Sequence, residues 1–473
     1  MDNETFRKHA HELVDWIADY RAHIDELPVK PPVAPGDIKK HLPLSAPEKP
    51  EAFEQVYEDF RNIIVPGITH WQHPQFFAYF PSGGSFPSLM ADMLSGALAP
   101  QCMVWLTSPA AEELEERMME WLRDALGLPA SFTGVIQDTS SSATLVALLT
   151  AREARSQYAI NQKGFSGAEK YRVYASEQVH SSVDKGVRIT GFGIENLVKI
   201  ETDEHFALKA TELENAILQD IQNGYTPLCV VSTIGTTSST AVDPVKEISA
   251  ICKKYHLWHH IDASYAGTAL LLPEMRWMSN GVEDADSFVV NPHKWMLTHF
   301  DCSAYFVKNK QALVNTFSIL PEYLKTEEDK LVNNYRDWGI PLGRRFRALK
   351  LWFVMRCYGL SGLQEKLRNH IAYGQWLKEE IRNTPGFELL APVPLNLVCF
   401  RLKPENITDE AALNELNARL LHTLNNSGKI LLTQTKLNGK YCIRFVAGIA
   451  ETKKEDVEQG WEFIKREANH LKI

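Results

Sequence analysis

The sequence predicts an α/β fold with a mainly parallel sheet, followed by a smaller α/β region. Two observations carry that prediction. Between residues 171 and 290, short apolar runs rich in β-branched residues (YRVYAS, LVKI, PLCVVSTIG, LWHHIDA and DSFVV) alternate with helix-like segments such as DPVKEISAICKKYH. Runs that are apolar throughout suit strands covered on both faces, and strands alternating with helices make a parallel sheet. In addition, polar clusters follow the apolar runs, where an open α/β sheet binds its ligands.

Taken in order, the chain opens on an amphipathic helix in which Leu13, Ile17, Tyr20 and Ile24 recur at helical spacing. Residues 28–50 hold seven prolines, so an extended strap is expected there rather than a helix or a central strand. A second helix is expected near AFEQVYEDFRNII, ending at Val65-Pro66-Gly67. Two helices and a strap make a poor core of their own, which suggests packing on something larger, such as a second subunit. Residues 1–85 are therefore read as an N-terminal helical and extended dimerisation segment. Residues 86–360 form the large domain, in which helical periodicity runs through AEELEERMMEWLRDALG. Residues 361–473, with strand-like LNLVCFRLK and YCIRFVAG, form the small C-terminal α/β domain.

Composition narrows the function. A formal charge of −9 with no basic block speaks against nucleic-acid and anionic-membrane partners. The N-terminus is charged from the start, and no apolar run is long enough to span a bilayer. The seven cysteines are dispersed without a CxxC, which suggests buried thiols in a reducing compartment, hence a cytoplasmic protein with no zinc site. "GFGIEN" lacks the third glycine of a dinucleotide fingerprint, and "NNSGKI" lacks the leading glycine of a P-loop.

Three clusters carry candidate chemistry. In "VIQDTSSSATLVALLTAREAR", Thr139, Ser140 and Ser141 open a helix. Hydroxyls and backbone N–H groups at a helix N-terminus suit a phosphate, although plain capping uses the same residues. In "LWHHIDASYAG", Asp262 ends an apolar run and can hold a proton on a ring nitrogen, or merely cap a turn. His259 and His260 point to opposite faces of a strand and cannot share a metal; His260 shares its face with Asp262, so a hydrogen bond between those two is expected. In "SFVVNPHKW", Lys294 follows the next run. A phosphate anchor, a strand-end carboxylate and then a lysine is the order a pyridoxal 5'-phosphate enzyme requires. The lysine takes the cofactor aldehyde as a Schiff base, and the carboxylate keeps the pyridine nitrogen protonated so that the ring accepts electrons.

NPHKW, HIDASYAG, "FFAYFP" and "PLGRRFRALKLWF" together resemble the group II pyridoxal-phosphate decarboxylases, nearest to the aromatic-L-amino-acid decarboxylases and to their bacterial members. The likeness runs from FRKHAHELVDWIADY to the final helices. It implies fold type I of the pyridoxal enzymes and an obligate homodimer whose N-terminal segment embraces the partner. It also implies decarboxylation of an aromatic L-amino acid (tryptophan, tyrosine, dopa or phenylalanine). By the same resemblance Lys294 is the Schiff-base lysine, Asp262 the pyridinium partner, and His180, in "EQVHSS", the histidine stacked on the ring near the substrate carboxylate. Thr139, Ser140, Ser141 and His293 surround the phosphate, Thr237 in "IGTTSS" contacts the cofactor, and Tyr323 in "LPEYLKTEEDK" is the proton donor of a closing loop. Trp71, Tyr79, Phe80, Pro81, Ser82 and Met103, with Phe77 and Trp105, are candidate pocket walls. Ser82 stands where animal members have threonine, and Ser264 replaces an alanine beside Asp262, within the cofactor site. The alternatives are an aromatic acetaldehyde synthase on the same fold, in which oxygen intercepts the carbanion, and a non-catalytic scaffold. Intact Lys294, Asp262 and His180 disfavour the scaffold.

Overall fold

Seven strands make the larger sheet: β1 (Thr133–Gln137), β2 (Tyr171–Ser176), β3 (Leu197–Ile200), β4 (Thr226–Thr233), β5 (Trp258–Asp262), β6 (Ser287–Val290) and β7 (Ser303–Val307). Their order across the sheet is β1-β7-β6-β5-β4-β2-β3. Pairing is parallel from β3 through β6, whereas β7 runs antiparallel to both β6 and β1. The computed structural model describes residues 1–82, 84–167, 170–319, 327 and 331–471. The five runs expected as strands are β2 to β6; β7 was not anticipated.

Successive residues of a strand face opposite sides, and here both sides are dry. Val173, Ala175 and Val231 pack with Leu148, Val183 and Val187 of helices Ser140–Ser156 and Ser181–Ile189. Their neighbours Tyr174 and Val230 pack the other way, with Leu213, Ile217 and Ile248 of helices Ala210–Gln222 and Val245–Tyr255. Each such Val or Leu contributes about 1.5–3 kcal/mol on burial, which is why these strands read as continuous apolar runs.

The chain divides into two units, Met1–Pro81 with Trp376–Leu390 and Phe400–Ile473, and Ser82–Gln375 with Ala391–Cys399. The larger sheet lies in the second. In the first, the opening helix is Asn3–Ala22 and the next runs Phe53–Asp59, continuing as a wider turn through Ile64. The strap differs from expectation in one respect: Asp37–His41, a proline-free stretch, forms a single helical turn, and Asp37 takes the Ala34 N–H at 2.8 Å. A four-stranded sheet ordered β10-β11-β9-β8 comprises β8 (Phe387–Leu389), β9 (Leu397–Leu402), β10 (Thr433–Leu437) and β11 (Lys440–Val446). Among the described residues no helix is long and apolar enough to cross a membrane.

Candidate active site

The parallel strands deliver the candidate residues to one edge, the end where their carboxyl termini open. β1 ends at Gln137 and leads to Thr139, β2 ends at Ser176 and leads to His180, and β4 ends at Thr233 before Thr237. β5 ends on Asp262 itself, and β6 ends at Val290, before Lys294. Because β7 runs the opposite way, its first residue, Ser303, pairs with Gln137 and reaches the same edge.

Asn291 organises this edge. Its Oδ1 accepts hydroxyls from Ser140 and Ser303, each at 2.6 Å, its N–H donates to Ser264 O at 3.0 Å, and its carbonyl accepts the Lys294 N–H at 3.0 Å. In the sequence Asn291 stands only as the residue that follows the apolar run SFVV. The signal available was a polar side chain directly after four apolar residues, a place where burial demands partners.

Asp262 is 4% exposed. Its Oδ1 accepts both the Ser264 N–H at 3.0 Å and the Ser264 hydroxyl, and no hydrogen bond engages Oδ2 among the described residues. Lys294 and His180 lie within electrostatic reach of this carboxylate. Burial lowers the affinity of the Lys294 amine for its proton, and the Asp262 charge opposes that shift. The His180 ring is open to solvent on one side, yet the surrounding protein holds its imidazole below the ordinary value, with Asp262 opposing and Lys294 reinforcing. His180 also begins helix Ser181–Ile189, its Nδ1 accepting the Ser182 N–H at 3.1 Å. An N–H at Nδ1 puts the neutral ring's own proton on Nε2.

His293 is buried, and burial with the Lys294 charge beside it pushes its imidazole down to about 3. The Cys302 N–H donates to its Nδ1 at 3.0 Å, so Nε2 again carries the proton. Ser82 Oγ donates to the His293 carbonyl at 3.3 Å. Thr139 caps helix Ser140–Ser156 and takes the Ser142 N–H, while Asp138 takes the Thr139 N–H at 2.7 Å and so spends its charge locally. The N–H groups of Ser140 and Ser141 precede the first intrahelical bond, Ala143 N–H to Thr139 O. Thr237 is exposed on the turn after β4. That turn passes so close to the next strand's loop that a Cβ on Gly235, whose φ is +83°, would lie 2.4 Å from Ala266 Cβ.

One sequence expectation fails here. His260 Nδ1 pairs with Ser287 Oγ at 2.9 Å and not with Asp262. In the β5–β6 register Ser287 stands directly opposite His260, nearer than a residue two positions along the same strand. His259 is taken up by Ser232 at 2.7 Å and Ser249 at 3.0 Å.

Of the candidate pocket walls, Met103 gives its carbonyl to the Arg336 N–H at 3.0 Å, and Trp105 Nε1 donates to Glu113 at 2.8 Å. Trp71, Tyr79, Phe80 and Pro81 belong to the other unit. There Trp71 stacks on Tyr79 at 5.6 Å and the Arg444 guanidinium lies 5.3 Å from the Phe80 ring. Phe77 is fully buried against Phe445 at 3.9 Å, a core position rather than a wall. Tyr323 lies outside the described residues.

The side chains fit pyridoxal phosphate. An amine depressed by burial, a carboxylate with one oxygen fixed by Ser264, and a helix N-terminus flanked by hydroxyls and an Nε2–H donor match an aldehyde, a pyridine nitrogen and a phosphate. Residues 35–403 match the model of the pyridoxal-dependent decarboxylase conserved domain. Over all of this chain and 95% of the relative, the sequence is 43% identical to tyrosine decarboxylase 2 of Narcissus pseudonarcissus. It is 42% identical to phenylacetaldehyde synthase of Arabidopsis thaliana, over all of this chain and 97% of that relative. The crystal structure of Oryza sativa TDC with PLP and tryptamine superposes with a TM-score of 0.96 at 35% identity, covering 100% of this chain and 99% of that one. With strand ends, side chains and sequence in agreement, the chain belongs to the pyridoxal-dependent decarboxylase family, an α/β enzyme family of fold type I whose cofactor is pyridoxal phosphate.

Proposed function

We propose that this chain decarboxylates aromatic L-amino acids, with tryptophan, tyrosine, dopa and phenylalanine as the candidate substrates. The observation that carries the reading is the end-to-end match to a tyrosine decarboxylase. Pyridoxal phosphate, when bound, supplies an electron-poor ring that takes up the electron pair left as CO2 departs. Lys294 would hold the cofactor; its burial favours the neutral, nucleophilic amine. Asp262 would keep the ring nitrogen's proton. The N-terminal turn carrying Thr139, Ser140 and Ser141, with the His293 Nε2–H and with Thr237 beside it, would hold the phosphate. His180, neutral and with its proton on Nε2, would donate to the substrate carboxylate and orient it. Ser82 and Met103, on the unit that carries Lys294, would bound the substrate side chain.

A second reading is favoured by one relative, the phenylacetaldehyde synthase. The two differ in who reaches Cα first after CO2 is lost, a proton or dioxygen. An oxygen electrode run beside product analysis separates them: amine without oxygen uptake supports decarboxylation, whereas aldehyde, ammonia and hydrogen peroxide support the synthase. We assign the proton to Tyr323. Tyr323→Phe should therefore lower amine yield and raise oxygen uptake and aldehyde. Unchanged amine with no oxygen consumed would transfer the role to His180, beside the same carboxylate.

The same proposal includes a homodimer located in the cytoplasm. All seven cysteines are free thiols, as a reducing compartment keeps them. On helix Phe86–Leu98, Phe86, Met90, Leu94 and Leu98 form a single stripe at fourfold spacing, and all four are exposed. Sedimentation should give twice the 53.6 kDa subunit mass, and joint replacement of Met90→Glu and Leu94→Glu should shift it toward one subunit. A native protein sedimenting as a single subunit would contradict the dimer.

A further inference from the structure

We infer that Ser264 is a positioning residue that locks the Asp262 carboxylate and couples it to Ser140, at the end of the site that takes the phosphate. The inference rests on the cofactor orientation proposed above. Ser264 gives Asp262 Oδ1 two donors, its N–H at 3.0 Å and its hydroxyl, so the carboxylate cannot turn without losing both. The same hydroxyl lies 2.7 Å from Ser140 Oγ, and Ser140 in turn lies 2.6 Å from Asn291 Oδ1. The Asn291 N–H closes the ring on the Ser264 carbonyl. A continuous chain of hydrogen bonds thus joins the carboxylate at the end of β5 to the N-terminus of helix Ser140–Ser156.

Each hydroxyl has one proton to give, which makes the chain directional. A full negative charge on Asp262 draws the Ser264 proton, because a charge-assisted bond is the stronger one. Ser140 gives its proton away from Ser264 in either case, to Asn291 Oδ1 when the helix N-terminus is empty and to an anion when one is bound there. With both drawn outward, the two oxygens face each other at 2.7 Å with no proton between them, an unfavourable arrangement. A cationic ring nitrogen beside Asp262 relieves it: the carboxylate's pull weakens, Ser264 turns its proton to Ser140, and Ser140 donates to the anion. Occupation of the two ends should therefore be mutually reinforcing, and such linkage is reciprocal.

The test titrates the full-length protein, freed of cofactor, with pyridoxal, which lacks the phosphate, in the presence and absence of inorganic phosphate. In the native protein phosphate should tighten pyridoxal binding about fivefold, the lower end of typical coupling. In Ser264→Ala that linkage should vanish and pyridoxal phosphate itself should bind roughly tenfold more weakly, the loss expected for one bond to a charged group. Ser264→Thr, which keeps the hydroxyl, should restore both. Linkage that persists in Ser264→Ala, or that is absent from the native protein, overturns the inference. Asp262→Ala serves as the control: if it leaves pyridoxal affinity unchanged, the proposed role of Asp262 fails as well; if it weakens binding while Ser264→Ala keeps the linkage, only the coupling fails.

Discussion

Lys294→Ala is expected to abolish turnover and the visible absorbance of held cofactor while leaving the fold intact. The change removes one side chain on a loop, and the backbone bond from the Lys294 N–H to Asn291 O does not depend on it. Stability should therefore change little. An amine held against the cofactor acts at an effective concentration of roughly 10⁵–10⁸ M, so no free amine in buffer replaces it and the rate should fall by about 10⁵-fold or more. Steady-state assays with saturating pyridoxal phosphate, run beside a melting curve, check both halves. Multiple turnovers near the native rate would remove Lys294 from its role.

Asp262→Ala should keep some cofactor and lose most of the rate. A ring nitrogen without its carboxylate partner holds its proton poorly and withdraws electrons less well. If about 4 kcal/mol of stabilisation disappears from the transition state, the rate falls on the order of 10³-fold. The measurement is kcat at saturating cofactor, so that weaker binding is not mistaken for slower chemistry. A drop of less than tenfold would mean that another group keeps the ring protonated.

Much of the larger sheet was legible because its strands are dry on both faces. YRVYAS, PLCVVSTIG, LWHHIDA and DSFVV have no polar side to blur them, and each ends where a turn begins. β7 was missed because SAYFV follows closely on the Lys294 loop and reads as its continuation. β10, TQTKL, was missed for the opposite reason: its middle residues are solvent-facing and give no apolar run. Within the site, Lys294, Asp262 and His180 stood out as chemistry-bearing residues placed just after strands. Links between strands did not show. The Ser140–Asn291–Ser303 contacts join residues far apart in sequence, and they depend on β7 running antiparallel. Likewise, knowing that His260 and Asp262 share a face could not reveal that Ser287 stands closer, because register across strands is a tertiary fact. Ser264 was visible as an exception to the family's alanine, but its bond to Ser140 appears only once β5 and the first turn of helix Ser140–Ser156 are brought together.

The most direct measurement of what this chain does is trapping of CO2 and amine from the purified protein with saturating pyridoxal phosphate. Tryptophan, tyrosine, dopa, phenylalanine and glutamate would be supplied in turn. Equal amounts of CO2 and amine from at least one aromatic L-amino acid, without oxygen uptake and with none from glutamate, is the expected result. CO2 from glutamate and from none of the aromatic amino acids would contradict it.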